Sequence, residues 1–331
     1  MRRNVLFLTA VAVVLTLSPS SPLLASADYP ARTINVVLPF SPGGGGDVPT
    51  RAFAAFAEKY FGKSVVVVYK PGATGMVGML EVAQSSPDGY TLAVGSTATT
   101  GAIAGEIANG RKPLVTQENF VTIGTMTASP YLLLVPYNSP WKTLAEFLND
   151  VKSKPGHYAY SSGGLYSGGT HAAVEALIAA TGIKVRHVPY SGGGPSTTAL
   201  VGGHVDFSSQ APSTSVPLVH GKKLKALALL GDRRIKSIPD VPTARELGVN
   251  AEHLSWTGIL APKATPTPIV ERLREVLSKA VVDKAVVNAL ETAGDEVRYM
   301  DGQQLAKFWE AETLKITKLW VNALKEAPPS K

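Results

Sequence analysis

The sequence predicts an α/β fold of two lobes, each a mostly parallel sheet flanked by helices. Three observations lead there. Short β-branched runs alternate with helical stretches from residue 28 onward, the pattern of parallel strands joined by crossover helices. The series occurs twice, with a break at Ser129-Pro130. A chain of 331 residues that is 45% hydrophobic and 17% charged carries enough apolar material for about two cores, which excludes a disordered chain.

The first residues read as an export signal: Arg2 and Arg3 give the positive start, residues 5–17 the apolar stretch, and Ala25-Ser26-Ala27 the small-residue cleavage site. The rest of a twin-arginine signal is missing, so ordinary secretion is expected, with Asp28 as the mature start. No later stretch is apolar for the ~20 residues that a membrane span requires. In the first series, strands are expected at residues 34–38, 65–69 and 90–95, and helices at 50–60 and 76–84. Ser86-Pro87-Asp88-Gly89 has the residues of a tight turn. The second series gives strands at 131–135, 157–160, 184–188, 205–208 and 225–229. Helices intervene at 143–152, where Thr143 and Glu146 have capping-box spacing, and at 171–180 and 196–201. After Trp256 the pattern turns helical, and Leu305, Phe308, Trp309, Ile316, Leu319 and Trp320 mark the buried stripe of a long last helix. If that segment returns to the first lobe, the chain crosses between lobes near Ser129 and near Trp256. Lobe 1 is then 28–128 plus 256–331, and lobe 2 is 129–255.

The chain has 32 Lys and Arg against 25 Asp and Glu, a net +7 that falls to +5 once the two signal arginines are removed. These basic residues are scattered, whereas nucleic-acid binders concentrate them in a patch or arm, so no nucleic-acid partner is expected. With no cysteine, the chain can form neither a disulfide nor a lipidated cysteine anchor. It is therefore expected free in a bacterial periplasm.

Four strand-to-helix junctions are rich in Gly and Ser, two in each lobe: 41–46, 72–75, 161–169 and 191–196. In open α/β sheets such junctions lie at the carboxyl ends of strands, where ligands bind. Each ends where a helix starts, so its backbone N–H groups face an approaching anion, and glycine lets the backbone come close. Gly43 to Gly46 is the expected anion cradle. Asp47 has two readings: a cap on the following helix, or a counter-ion for the ammonium group of an amino-acid ligand. Composition alone supports a two-lobed binder of a small anion.

The ordered set Tyr29-Pro30, Val37-Leu38-Pro39-Phe40-Ser41-Pro42-Gly43-Gly44 with Asp47, Lys70-Pro71-Gly72-Ala73-Thr74-Gly75 and Ser86-Pro87-Asp88-Gly89-Tyr90 resembles the solute-binding receptors of tripartite tricarboxylate transporters, also called Bug proteins. Ser139-Pro140-Trp141-Lys142-Thr143, His187-Val188-Pro189-Tyr190-Ser191-Gly192-Gly193, Gly202-Gly203-His204-Val205-Asp206 and Pro239-Asp240-Val241-Pro242-Thr243 continue it in the family's order. The resemblance implies a periplasmic binding protein of the type II-like, Venus-flytrap kind. Such a receptor closes on a small organic carboxylate, delivers it to a two-subunit integral membrane permease, works as a monomer and needs no cofactor or metal. It further implies that Phe40, Ser41, Pro42, Gly43 and Gly44 grip one carboxylate from one lobe, and that Tyr190, Ser191, Gly192, Gly193 and Gly194 do so from the other. Ser162 and Asp206 match positions lining the second lobe's side, and Thr74 and Thr97 are added as first-lobe strand ends. The chain departs from the family at Val67-Val68-Tyr69, at Ser191-Gly192-Gly193-Gly194, which lacks the usual lysine, and at Phe207-Ser208-Ser209-Gln210, which is unusually polar. The polar strand end leans toward a ligand with hydroxyl or amide-like groups.

Two rival functions follow. The same receptor could present its ligand to a sensor kinase, which the sequence does not separate from transport. An exported enzyme acting on a small carboxylate is disfavoured: no Gly-x-Ser-x-Gly elbow is present, Gly62-Lys63-Ser64 lacks a P-loop glycine at position 57, and the six histidines are not at metal-ligand spacing.

Overall fold

The protein is described by a computed structural model over residues 29–166 and 168–326; the expected export signal lies outside the described residues. Strands β1 (Ile34–Leu38), β2 (Val65–Tyr69) and β3 (Thr91–Ser96) are parallel and are connected by helices α1 (Asp47–Phe61) and α2 (Met76–Ala83). β1 and β3 are buried almost throughout, as parallel strands covered by helices must be, while β2 at the sheet edge leaves Val66 exposed. Helix α3 (Thr97–Ala108) follows β3 directly and leads to β4 (Phe120–Pro136), a 17-residue strand. The second set alternates α4 (Leu144–Ser153), β5 (Ala159–Ser162), α5 (Thr170–Thr181), β6 (Arg186–Pro189), α6 (Gly193–Val201), β7 (Phe207–Gln210), α7 (Pro212–His220) and β8 (Leu224–Leu230). The chain closes with β9 (Leu254–Pro262), α8 (Thr267–Ala280), α9 (Lys284–Thr292) and α10 (Gly302–Glu326).

The sheet order is β2-β1-β3-β9-β4-β7-β5-β6, with β8 also paired to β4. Two halves therefore share one strand. Residues 120–130 of β4 pair with β9 in the first half, and residues 131–136 pair with β7 and β8 in the second. Within each half three strands are parallel and the shared strand brings antiparallel pairing. Separate apolar clusters fill the halves, one around Val36, Phe53, Ile123 and Leu273, another around Leu133, Phe147, Tyr160 and Phe207.

The Thr143/Glu146 capping box is present, and α10 buries Leu305, Trp309, Ile316 and Trp320 along its stripe. Trp320 packs with Ala104 of α3 and Ala172 of α5, so α10 touches both halves. Burying a side chain of this size contributes on the order of 3 kcal/mol.

Three sequence expectations are corrected. The helical reading from Trp256 fails because β9 comes first: LSWTGILAP is buried almost throughout, and an apolar run covered on both faces shows no period. The expected strand at 131–135 is only the end of β4, for the same reason. Helices α3 and α7 were not expected. TATTGAIAGEIA is rich in Thr and Gly, and its cap pairs Ser96 with Thr99 in place of the acidic partner usual in a capping box; α7 holds Pro217 inside.

Candidate functional site

A cavity of about 540 Å³ opens between the halves at the carboxyl ends of β1, β2, β3, β5, β6 and β7. Its lining contains no charged side chain among the described residues. Any anion held there is held by backbone and by neutral polar groups.

One wall is residues 39–46. Gly46 precedes α1 and places no side chain on the helix's open amides. Asp47 is the first helical residue, and its carboxylate turns backward: Oδ2 accepts the Gly43 N–H at 2.8 Å and Oδ1 accepts the Tyr69 hydroxyl at 2.8 Å. Arg51 Nε lies 3.3 Å from Oδ1, and only 4% of the Asp47 side chain is exposed. Burial and then Asp47 push the Tyr69 phenol above its ordinary value. Both readings of Asp47 are thereby corrected, since it neither caps α1 nor faces a ligand amine; it pins the loop. It also spends the Gly43 N–H. The amides of Gly44, Gly45 and Gly46 have no acceptor among the described residues. Replacing Asp47 with Ala should strip the loop of two hydrogen bonds, cost about 2 kcal/mol of stability and weaken ligand binding about tenfold. Calorimetry on the folded variant checks this.

The β2–α2 junction adds a run of left-handed backbone: Gly72 (φ 141°), Ala73 (φ 45°), Thr74 (φ 53°) and Gly75 (φ 93°). Two consecutive non-glycine residues at positive φ are costly, and such strain collects at binding sites. A Cβ at Gly75 would come within 3.1 Å of the Phe40 ring, so the glycine lets that ring pack on the loop. Thr97 lines the cavity at the start of α3, but its hydroxyl is engaged: it donates to the Leu254 carbonyl at 2.9 Å and accepts the Trp256 N–H at 2.8 Å. It ties α3 to β9.

The facing wall comes from residues 190–195. Gly192 precedes α6 without a side-chain cap, leaving the amides of Gly193 and Gly194 without an acceptor among the described residues. Two helix N-termini, α1 from one half and α6 from the other, thus turn unpaired N–H groups and a partial positive charge toward the same cavity. The walls approach each other where the Ser213 hydroxyl of α7 lies 3.4 Å from the Gly45 carbonyl.

Of the residues expected to line the site, Phe40, Ser41, Pro42, Gly43, Gly44, Thr74, Thr97, Tyr190, Ser191, Gly192, Gly193 and Gly194 all border this cavity. Ser162 and Asp206 do not. The Ser162 hydroxyl donates to the Gly164 carbonyl at 2.9 Å and sits 2.6 Å from His187 Nε2. Burial, and next the stacked His171, lower His187 to about 3, so its ring is neutral. Asp206 precedes β7 at the opposite end of the strand from the cavity, where Oδ2 accepts the Ala159 N–H at 2.7 Å and fastens β5 to β7. The cavity also contains residues not picked from the sequence, among them Tyr131, Thr170, Gln210 and Trp256. Gln210 was legible in principle, because it stands at the carboxyl end of a strand.

Residues 50–324 match the family described as tripartite tricarboxylate transporter family receptor. A UPF0065 protein in the gbd 5' region of Cupriavidus necator is 34% identical over 310 residues, covering 92% of this chain and 91% of that one. MatC from Rhodopseudomonas palustris, solved with bound malate, is similar with a TM-score of 0.78 and 32% identity, covering 88% of this chain and 100% of that chain. A second R. palustris protein, solved with adipate, gives a TM-score of 0.80 and 27% identity over 88% of this chain and 98% of that chain. The α/β architecture read from the sequence is thus the periplasmic binding protein fold of these solved structures. The chain belongs to the tripartite tricarboxylate transporter receptor family, a class of solute-binding proteins.

Proposed function

We propose that this receptor works in the periplasm as a monomer. It captures a small organic carboxylate between two lobes, residues 28–128 with 256–331 and residues 129–255, and hands it to a two-subunit membrane permease, without catalysis and without a cofactor. The observation that carries the reading is the uncharged cavity facing two uncapped helix N-termini from opposite halves. A carboxylate bridging the amides of Gly44 to Gly46 and those of Gly193 and Gly194 makes charge-assisted hydrogen bonds, roughly twice as strong as neutral ones. Ordered water can extend the grip at modest cost. A ligand touching both walls binds the closed form better and shifts the population toward it. Relatives solved with malate and with adipate both hold carboxylates, which favours this class of ligand. Among the described residues no helix is long and apolar enough to cross a membrane.

Thermal melting against mono-, di- and tricarboxylates, after unfolding and refolding to strip carried-over ligand, tests it. A ligand at 100 times its Kd should add about 2.7 kcal/mol and raise Tm by several degrees. A folded protein that shifts with none of them overturns the proposal.

A further inference from the structure

Beneath the α6 wall lies a closed network of hydroxyls that fixes the orientation of one amide. Gln210 is 1% exposed, and its Nε2 lies 2.9 Å from Ser196 Oγ and 2.7 Å from Ser208 Oγ. Both hydroxyl protons are already committed. Ser208 donates to the Ser161 carbonyl at 2.8 Å, and Ser196 donates to Ser161 Oγ at 2.9 Å, which in turn donates to the Ser196 carbonyl at 3.1 Å. Each serine oxygen can therefore only accept from Gln210, and the atom facing them is the NH2 group. Turning the amide over would require both serines to donate to it. Five hydrogen bonds would then shrink to three, in a place where an unmet polar group is costly. The network, and no single distance, assigns the orientation.

The other end of the amide is then a carbonyl oxygen, and it borders the cavity. A Cβ on Gly193 would stand 3.7 Å from Gln210 Oε1, and no donor reaches that oxygen among the described residues. A wall that otherwise offers the unpaired amides of Gly193 and Gly194 thus presents one unpaired acceptor beside them.

We infer that Gln210 selects for a ligand carrying a hydroxyl group close to its gripped carboxylate, so that the substrate class is hydroxy acids in preference to their unsubstituted counterparts. The inference rests on the proposed carboxylate grip and names what that grip prefers. An unsubstituted acid leaves Oε1 desolvated and unpaired, whereas a hydroxyl donates to it. A carboxylate oxygen there would meet like partial charge. An ammonium would bond Oε1 strongly, but no carboxylate lines the cavity to offset the cost of desolvating its full charge.

The test is calorimetry of wild type and Gln210→Met with matched pairs: lactate and propionate, malate and succinate, citrate and tricarballylate. Methionine keeps the length and volume and removes the acceptor. Wild type should bind the hydroxylated member of at least one pair about tenfold tighter, and Gln210→Met should bring the two members within about threefold. Equal wild-type affinities within every pair that binds overturn the inference and leave the receptor reading standing, as does a preference that survives in the methionine variant. If no member of any pair binds folded wild type, the carboxylate grip fails and the inference falls with it. Should the methionine variant not fold, the wild-type pair comparison still decides.

Discussion

Asp295→Asn should stabilise the protein at pH 8 by up to about 4 kcal/mol. Asp295 is 3% exposed in the segment between α9 and α10, wedged where both halves meet: Gly294 packs on Val216 of α7, and the Glu296 N–H donates to Ser129 Oγ of β4. Burial raises its carboxyl to about 7, an increase that the hydroxyls of Ser213 and Ser129 partly oppose. In the unfolded chain the same group titrates near its ordinary 3.8. Between those values the native state holds a proton that the unfolded state has released, so stability contributed by this residue is complete below about pH 4 and is lost as pH rises to about 7. A rise of three pKa units corresponds to about 4 kcal/mol. Asparagine keeps the shape and never ionises. Two buried histidines act in the opposite sense: His187 and His253 are lowered from 6.5 to about 3, chiefly by burial, and contribute stability that is lost as pH falls from about 6.5 to about 3. The readout is therefore the difference in urea midpoint between variant and wild type. That difference should be small at pH 4, grow to pH 7 and level off; a difference that is flat from pH 4 to 8 would show that Asp295 is not protonated in the native state.

Gly168→Ala should be strongly destabilising. A Cβ there would sit 2.1 Å from the Thr97 carbonyl oxygen and 2.4 Å from the Gly101 amide nitrogen, both backbone atoms of α3. Backbone cannot rotate away as a side chain would. The loop must instead leave the helix, giving up the hydrogen bond between the Gly168 carbonyl and the buried His253 ring. Overpacking of this kind costs about 3 kcal/mol. Thermal melting should show a Tm lower by roughly 4–5 °C for a chain of this size. Gly182→Ala is the control: its φ of 69° strains alanine, but nothing lies within 4 Å of the added methyl. A loss at Gly168 no greater than that at Gly182 would mean the close approach is not needed.

Periodicity made the helix-flanked strands of both halves readable, because β1, β2 and β5 to β8 are short and bounded by Gly and Pro turns. The same signal failed for β4 and β9. Their residues are buried on both faces, so amphipathic alternation never appears. In the site, glycine-rich junctions located both walls, since uncapped helix starts must carry small flexible residues before them. Side-chain roles were less legible. Whether Asp47 caps its helix or folds back onto Gly43 depends on Tyr69, 22 positions away, and no local pattern reports that contact. Asp206 and Gln210 lie four residues apart at opposite ends of one strand, yet only the carboxyl end borders the cavity.

The position of β9 also fixes the order in which the chain can assemble. It lies between β3 and β4, in the middle of the first half, yet it is supplied only at Leu254–Pro262. Until those residues emerge, the inner edge of β3 has no partner, and residues 29–128 expose an unpaired strand edge with part of their apolar core open. The second half is spanned by one continuous stretch and needs no such late arrival. The first half is therefore completed only by a strand from late in the chain, inserted into its centre. A chain with so distant a pairing folds slowly, because a long loop must close before the pairing rewards it.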